Sequence, residues 1–495
     1  MKLVSRNKQL LIFGVCMVLT VLAGNAQPNL SFYPLDEQFN SSGFNPAFLS
    51  SKEKFTFSIF PLGGSSIGFD NQQIIKSLVL GSRSGISTDD DYKNIIERIT
   101  DRPSFNQNLE STLFTFIFRS KAGYFNFRVK ESENFSAAVK GELTNFIFSK
   151  DIQSAVIGRV QNLPSQFMHY REYSLGYSSP CRNHKFTAGV RAKVYFGKSA
   201  FYSRLSGSVQ TNYPDYVING GGKVNLSIPL TETNVDGKTG SSLALTGSNA
   251  ISYLMNSGNP GFGLDLGIKY NITPDLMFSF SVIDLGRIDW KTNLNSKVFD
   301  GEYLIHSKDV ASGLVVNGNE IITKNFDNLS FADTISNRLN QSYERNGFST
   351  QMPVNIYAGF KYQLNSKLKM SMVDRYVYLK NMNYNSLAIL ASLDVSKEIA
   401  VNTGYTAVSN SFYNIPLAVL FKKEWGQIYF GTENMLFFIV PSFSDFAGFT
   451  FGTCFYLFKN KGHSNSTSED YPFYRPRKAK RNQKTGLITK EVSEN

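Results

Sequence analysis

The sequence predicts an all-β fold, a transmembrane antiparallel β-barrel of about 14 strands, with 12 to 16 acceptable. Three observations support this. The 495 residues include 42 Phe, 25 Tyr and 38 Gly, a composition that favours strands over helices. Hydropathy alternates with a period of two along most of the chain. The alternating runs span about 9–12 residues, which matches tilted membrane strands rather than the shorter strands of soluble proteins.

The alternation divides each predicted strand into an apolar face and a small or charged face. It is clearest in residues 123–130, 185–196, 261–270, 354–362 and 447–457. Lipid outside and a polar lumen inside would produce this pattern, and a mean hydropathy of -0.20 is compatible with it because only alternate residues meet lipid. That hydropathy excludes a helical membrane bundle. A soluble β-sandwich is the alternative, and it would show the same alternation over shorter strands.

Turn residues divide the chain into predicted hairpins. Short connections are predicted at Ser120-Lys121, Glu131 to Glu133, Gly197 to Ala200, Asn271 to Asp275, Leu364 to Lys367 and Lys422 to Trp425. Longer insertions are predicted at about 71–110, 141–167, 231–258 and 305–350, with helical character in the first and a polar helical stretch from Phe331 to Arg345 in the last. Short turns at one end and long loops at the other are typical of outer-membrane barrels.

The two ends of the chain differ in composition from its body. Residues 1–26 are predicted to be a signal peptide, with Lys2, Arg6 and Lys8 before an apolar stretch and small residues before the cut. Residues 27–53 are predicted to be a plug-like segment, 54–458 the barrel, and 459–495 a basic tail in the periplasm. The tail carries nine Lys or Arg against four Asp or Glu, so much of the net charge of +12 lies outside the body. This distribution argues against nucleic acid as a partner.

Two local features resemble a known family. Gly43-Phe44-Asn45-Pro46-Ala47-Phe48 is similar to the Asn-Pro-Ala element in the plug region of FadL-like and PorV-like barrels. Residues Gly261 to Trp290 resemble a strand–turn–strand signature of a FadL-superfamily group of undefined function, from bacteria that also run type IX secretion. The resemblance implies an outer-membrane barrel of about 14 strands with its N-terminal segment inside the lumen. It implies no particular substrate.

Five charged residues share the inward phase of the predicted strands. If they face the lumen they either form a charged ladder that tunes permeation or holds a plug, or they simply solvate and brace the barrel interior. They are Arg128, Arg191, Lys193, Asp265 and Lys269. The resemblance adds Asn45, Pro46 and Ala47 as the plug-like motif.

Catalytic and metal-binding patterns are weak in this sequence. Gly64-Ser65-Ser66-Ile67-Gly68 matches G-x-S-x-G, but the residues after it look like more strand, whereas a nucleophile elbow leads into a helix. The four histidines are scattered, and neither Cys181 nor Cys454 has a sequence context that marks it as reactive. We therefore expect a non-enzymatic protein without a cofactor or metal.

Three functions are compatible with these patterns. The first is an accessory or structural component of an assembly for surface-protein export or anchoring, with protein partners at the loops and tail. The second is a FadL-like channel for small hydrophobic molecules. The third, an outer-membrane hydrolase, is the weakest. In each case outer-membrane lipid surrounds the barrel.

Overall fold

The computed structural model describes residues 30–49, 53–70, 104–138, 159–181, 185–212, 215–235, 238–243, 247–305, 340–379, 383–408, 411–439 and 446–457. The predicted signal peptide, the basic tail and most of the first and last long insertions lie outside these ranges. No described helix is long and apolar enough to cross a membrane.

Strands make up most of the described chain. They are β1 Phe55–Ile59, β2 Ser65–Asp70, β3 Ser104–Ser120, β4 Gly123–Ala138, β5 Arg159–Pro180, β6 Phe186–Asn212, β7 Asp215–Ser227, β8 Leu230–Val235, β9 Lys238–Leu243, β10 Asn259–Asn271, β11 Leu276–Trp290, β12 Ser296–Ile305, β13 Asn340–Glu344, β14 Phe348–Gln351, β15 Val354–Gln363, β16 Leu368–Tyr378, β17 Tyr384–Asp394, β18 Ile399–Val408, β19 Ser411–Asn414, β20 Leu417–Lys423, β21 Gly426–Thr432 and β22 Phe446–Leu457. The helices are α1 Gly247–Leu254 and α2 Leu436–Ile439, and three 3₁₀ turns span Leu30–Phe32, Ser41–Gly43 and Pro46–Phe48.

The strands close into a barrel of 14 antiparallel staves. Strands β1 and β2 form one stave, interrupted at residues 60–64, and both pair with β3 on one side and β22 on the other. From β3 the pairing runs through β4, β5, β6, β10, β11, β15, β16, β17, β18, β20, β21 and β22. The pairing of β22 with β1 closes the ring, which confirms the predicted fold class and strand number.

The two faces of the wall are inverted relative to a soluble protein. Large apolar side chains such as Phe262 and Leu175 are 68% and 62% exposed on the outside. Charged side chains such as Arg191 and Lys193 are buried inside. A contiguous apolar exterior of this extent requires an apolar solvent, because water would penalise it at roughly 25 cal/mol for each Å². The wall is therefore built for lipid.

The ends of the barrel differ in their connections. At one end, here called the turn end, lie the short connections that follow β3, β10, β15, β17 and β20. The first and last staves also begin and finish at this end. Strands β2, β4 and β12 finish at the opposite end, here called the loop end.

Several predicted boundaries are wrong. Glu131 to Glu133 is no turn, because β4 runs through it in unbroken register with β5. Gly197 to Ala200 lies inside β6, at the point where that strand changes partner from β10 to β7. The predicted helical stretch from Phe331 to Arg345 includes β13, and its earlier residues lie outside the described chain. The insertions predicted at 71–110 and 141–167 are shorter than expected, since β3 and β5 begin at residues 104 and 159.

A sheet extends the wall beyond the barrel at the loop end. The half of β6 nearer the loop end pairs with β7, β7 pairs with β12, and β12 pairs with β13. The predicted insertion at 231–258 contains the hairpin β8–β9 and helix α1 rather than an irregular loop. The turn predicted at Gly197 to Ala200 falls inside one of these long strands, because glycine and polar residues are also common in turns.

Candidate functional site in the lumen

The N-terminal residues Leu30–Leu49, here called the lumenal segment, lie inside the barrel. Their apolar side chains form two core clusters with inward-facing residues of the wall, including Ile117 on β3 and Tyr357 on β15. Seven large side chains of the segment are almost fully buried: Leu30, Phe32, Tyr33, Leu35, Phe39, Phe48 and Leu49. At about 1.5–3 kcal/mol for each buried side chain, the packing of the whole segment is worth on the order of 10 kcal/mol or more.

The Asn-Pro-Ala motif docks on two facing glycines of the wall. Asn45 is fully buried, accepts a bond from the N–H of Ala47 at 2.9 Å, and donates to the carbonyl of Ile268 at 3.0 Å. Gly189 and Gly267 face each other across β6 and β10 at this point. A Cβ atom on either glycine would overlap Asn45 or Pro46. The motif can pack against the backbone of the wall because these two residues have no side chain.

Ion pairs attach the lumenal segment near the turn end. Asp36 lies 2.6 Å from Lys361 and 3.8 Å from Lys269, and Glu37 lies 2.9 Å from Lys422. Burial alone would raise the pKa of Asp36, but the ammonium groups of Lys361 and Lys269 outweigh burial and hold this pKa well below its ordinary value. Asp36 is therefore an anion throughout the physiological range, and Lys269 holds the segment rather than lining an open ladder.

The other four predicted charges lie together in one buried ionic cluster. Its four basic and four acidic side chains come from β3, β4, β5, β6, β10 and β11: Arg128, Lys130, Arg191, Lys193, Glu110, Glu172, Asp265 and Asp284. Asp265 is fully buried and lies 3.2 Å from Arg191 and 2.9 Å from Lys193. Glu172, also fully buried, lies 3.2 Å from Arg128. Equal numbers of opposite charges make this burial tolerable.

A β-bulge places one of these charges. The register of β10 and β11 shifts between Leu264 and Leu266, opposite Asp284, which has a φ of 63°. The N–H of Asp284 donates to Asp265 at 2.8 Å, and the Asp284 carboxylate accepts from Lys193 at 2.6 Å. The carboxylate of Asp265 thus stabilises the bulge that turns Asp284 into the lumen.

The cluster contacts the lumenal segment directly. Arg191 donates to the carbonyl of Ser42 at 2.7 Å. Arg128 lies so close to Gly43 that a Cβ there would be 3.3 Å from the guanidinium. A change in the ion pairs of Arg128 or Arg191 would therefore act directly on the 3₁₀ turn Ser41–Gly43, because both side chains contact it.

A cavity of about 140 Å³ lies between the lumenal segment and the loop end. Four cationic and two anionic side chains line it: Arg128, Lys130, Lys193, Arg375, Glu110 and Asp284. Phe32 and Phe44 of the lumenal segment, with Tyr357 and Ile283 of the wall, add apolar surface. Arg375 is held by Asn355 at 3.0 Å and lies near the rings of Tyr357 and Tyr384. The lining suits a ligand with both an apolar part and a negative charge.

Sequence reasoning missed part of this site. Glu110, Lys130, Glu172, Asp284 and Arg375 were not among the predicted residues. Lys130 has the same phase as Arg128 in β4, and Glu172 lies directly opposite it in β5, so strict alternation could have found both. Asp284 could not be found in this way, since the bulge reverses its phase.

The hydrolase geometry is not present among the described residues. Ser66 lies within β2, where its hydroxyl accepts from Thr450 at 2.9 Å, and no helix follows it directly as a nucleophile elbow requires. His169 contacts Tyr253 at 2.6 Å, and Tyr253 in turn contacts Ser199 at 2.8 Å, so no direct Ser–His pair forms here. No described group of three or more His, Cys, Asp or Glu could hold a metal ion. Cys181 and Cys454 are both free thiols.

A family model matches residues 46–433, which include Pro46 and Ala47 of the Asn-Pro-Ala motif, the ionic cluster and most of the wall. The chain belongs to this family. It is described as a family of unknown function, DUF5723. No curated protein matches the sequence.

Solved structures with a similar architecture are outer-membrane barrels. The Ralstonia pickettii toluene transporter TbuX is 11% identical, with 84% of this chain and 92% of that chain covered and a TM-score of 0.36. The P. putida toluene transporter TodX is 9% identical, with 84% and 91% covered and a TM-score of 0.35. A Pseudomonas aeruginosa FadL homologue is 10% identical, with 88% and 97% covered and a TM-score of 0.36.

Proposed function

We propose that this protein is an outer-membrane channel for small amphipathic molecules that carry an acidic group, with the lumenal segment as its plug. The observation that carries the proposal is the cavity above the segment, lined by four cationic side chains, two carboxylates and several aromatic rings. A barrel that only anchored partners would need no such cavity. It could fill its lumen with apolar side chains at no loss of stability, because buried ion pairs contribute little to it.

The proposed mechanism begins with the acidic group of the ligand near Arg128 and Lys130. An anion there competes with Glu172 and Glu110 for these two cations. Arg128 lies against the turn Ser41–Gly43, so the competition loosens the plug locally. Ejection of the whole plug is not required, and its apolar packing, on the order of 10 kcal/mol, makes ejection too rare to be useful.

An interruption in the wall supports a second route, between lipid and cavity. Residues 60–64 between β1 and β2 loop outward, and Ile59, Phe60 and Leu62 are exposed on the lipid side. Gly64 borders the cavity on the inner side. Three backbone bonds close the wall at this point, from Phe60 to Leu113 at 2.9 Å, from Thr112 to Gly64 at 2.7 Å and from Thr453 to Leu62 at 2.7 Å. A lateral exit would need these bonds to open.

A scaffold for surface-protein export or anchoring, including type IX secretion, is the second candidate. The sheet of β6, β7, β12 and β13 beyond the barrel favours it, because such an extension offers a partner surface that a simple channel does not need. In both cases we propose that the turn end faces the periplasm, with the basic tail on the same side, as in outer-membrane barrels with short periplasmic turns.

The test is purification from the native outer membrane in mild detergent, followed by mass spectrometry of small molecules and proteins. We expect an acidic amphiphile at close to one copy per barrel. Its amount should fall about tenfold or more in Arg128→Met, since a buried charge-assisted contact is worth roughly 1.5–3 kcal/mol. The matched control is Arg287→Met, because Arg287 is largely exposed outside the cavity.

The outcomes separate the two candidates. Stoichiometric protein partners without a bound amphiphile would replace the channel by the scaffold. An amphiphile that persists equally in Arg128→Met and Arg287→Met would show that its acidic group does not bind in the lumenal cavity as proposed, and would refute the proposed mechanism.

A further inference from the structure

Helix α1 lies on the outside of the barrel, at the loop end of the wall. Glu131 shares the alternation phase of Phe125 and Phe127, which face lipid, so it projects outward from β4. Its partner His169 on β5 therefore also projects outward, at 3.0 Å from Glu131. Tyr253 of α1 contacts His169 at 2.6 Å, which fixes the helix against the outer face of the wall.

Further contacts hold the helix in this place. Lys198 donates to the carbonyl of Asn256 just after the helix at 2.6 Å, and Tyr253 also contacts Ser199 at 2.8 Å. Arg171 lies 2.6 Å from Glu131. On the outer faces of β5 and β6 these polar residues lie between the rings of Tyr173 and Phe196 and those of Phe167 and Phe201, which share the outward phase closer to the loop end. The helix therefore covers a polar break in the apolar outer face of the wall.

Large apolar side chains of α1 and of the residue directly after it are exposed. Ile251, Leu254 and Met255 are 68%, 41% and 66% exposed, and the Met255 sulfur also lies 3.9 Å from Arg171 of the wall. Their spacing of three and four residues puts them on one side of the helix. A short link leads from α1 into β10, where the outward side chain of Phe262 is 68% exposed.

We infer that α1 is an interfacial membrane anchor whose apolar face inserts among the lipids of the leaflet at the loop end. Two features of the molecule argue for lipid as the occupant: α1 lies on the outer face of the wall with outward apolar rings on both sides of it along β5 and β6, and the side chains that it exposes there are large and apolar. Amphipathic helices at a membrane boundary bury such a face to a depth of about 5–10 Å. The anchor would fix the depth of the barrel in the bilayer, whatever the barrel transports.

Nitroxide accessibility in lipid vesicles tests this inference. The full chain, with Cys16 and Cys454 replaced by alanine and Cys181 by serine, is labelled at Met255→Cys and separately at Ile251→Cys. Ser252→Cys is the matched control, since it is exposed on the same helix about 100° away from Ile251. Leu175→Cys, on the lipid-facing side of β5, gives the reference for a label that lies in the hydrocarbon of the bilayer.

We expect labels at positions 251 and 255 to collide readily with oxygen. Their collisions with a hydrated nickel chelate should be about fivefold fewer than at position 252, because hydrocarbon excludes a polar solute. Equal nickel access at 251, 252 and 255 would show that the face is in water and overturn the inference. Labels at 251 and 255 that are immobilised and shielded from both reagents would show a protein occupant, which would also overturn it.

Discussion

The carboxylate of Asp265 is predicted to hold the ionic cluster together, and Asp265→Asn removes its charge while keeping its shape. The N–H of Asp284 keeps an acceptor, because the Asn side chain retains one oxygen. Lys193 keeps Asp284 at 2.6 Å and Glu172 at 3.5 Å. Arg191 loses its single carboxylate partner within 4.0 Å among the described residues. Loss of one partner from a buried ion pair costs about 3–5 kcal/mol, and the remaining partners of Lys193 place the expected loss near 3 kcal/mol.

The assay is equilibrium unfolding in urea with the barrel in lipid vesicles, followed by tryptophan fluorescence. Asp275→Asn is the control, because Asp275 lies exposed in the turn between β10 and β11 and should change the free energy of unfolding by less than about 0.5 kcal/mol. Adding Arg191→Met to Asp265→Asn removes the unpaired cation and should restore about half of the loss, a positive coupling. Unchanged stability in Asp265→Asn, or a further loss in the double variant, would refute the account of the cluster as one coupled unit.

Two further predictions concern the lumenal segment, and both are measured as ion conductance across planar bilayers. Gly267→Ala should raise the conductance severalfold, because the added methyl group overlaps Asn45 and displaces the segment, whereas Gly220→Ala, with open space around its Cβ, should leave it unchanged. Asp36→Asn should raise the conductance more modestly, since only the contacts with Lys361 and its neighbours are weakened. A depressed carboxyl pKa gives stabilisation that is complete above the unfolded pKa and is lost only as pH falls through the folded pKa, so the increase caused by Asp36→Asn should be the same at pH 7 and pH 5. An increase that disappears at pH 5 would contradict the role of Asp36 in holding the lumenal segment.

Local alternation predicted the fold and much of the site, because the period of two is a property of each strand by itself. Arg128, Arg191, Lys193 and Asp265 could be assigned to the inward face before their partners were known, and they lie together because their strands are neighbours in the ring. Alternation no longer predicts which side a residue faces where the backbone departs from a regular strand. In β11, Met277, Ser279, Ser281 and Ile283 point inward, so strict alternation would place Asp284 in lipid.

The boundary errors have a different cause. Gly197 resembles a turn residue, but it is small because Trp290 packs against it, where a Cβ would lie 2.5 Å from the indole ring. The β6 strand continues through this point with a register shift opposite His169 and Tyr170. A glycine needed for close packing and a glycine needed for a turn are the same letter in one sequence, and only the tertiary neighbour separates them.

Two kinds of contact join the lumenal segment to the wall, apolar packing and the ionic cluster. Apolar packing of Leu30, Phe32 and their neighbours holds the lumenal segment with a free energy too large for spontaneous release. The ionic cluster adds little net stability, since apolar residues of similar size would serve as well. Its value lies in its position, because Arg128 borders the cavity and Arg191 binds the carbonyl of Ser42. In the proposed channel, a ligand that redistributes these charges would move the turn Ser41–Gly43 while the apolar part of the segment stays in place. Gating of that channel would then be a local shift of this turn, because release of the whole segment costs too much free energy.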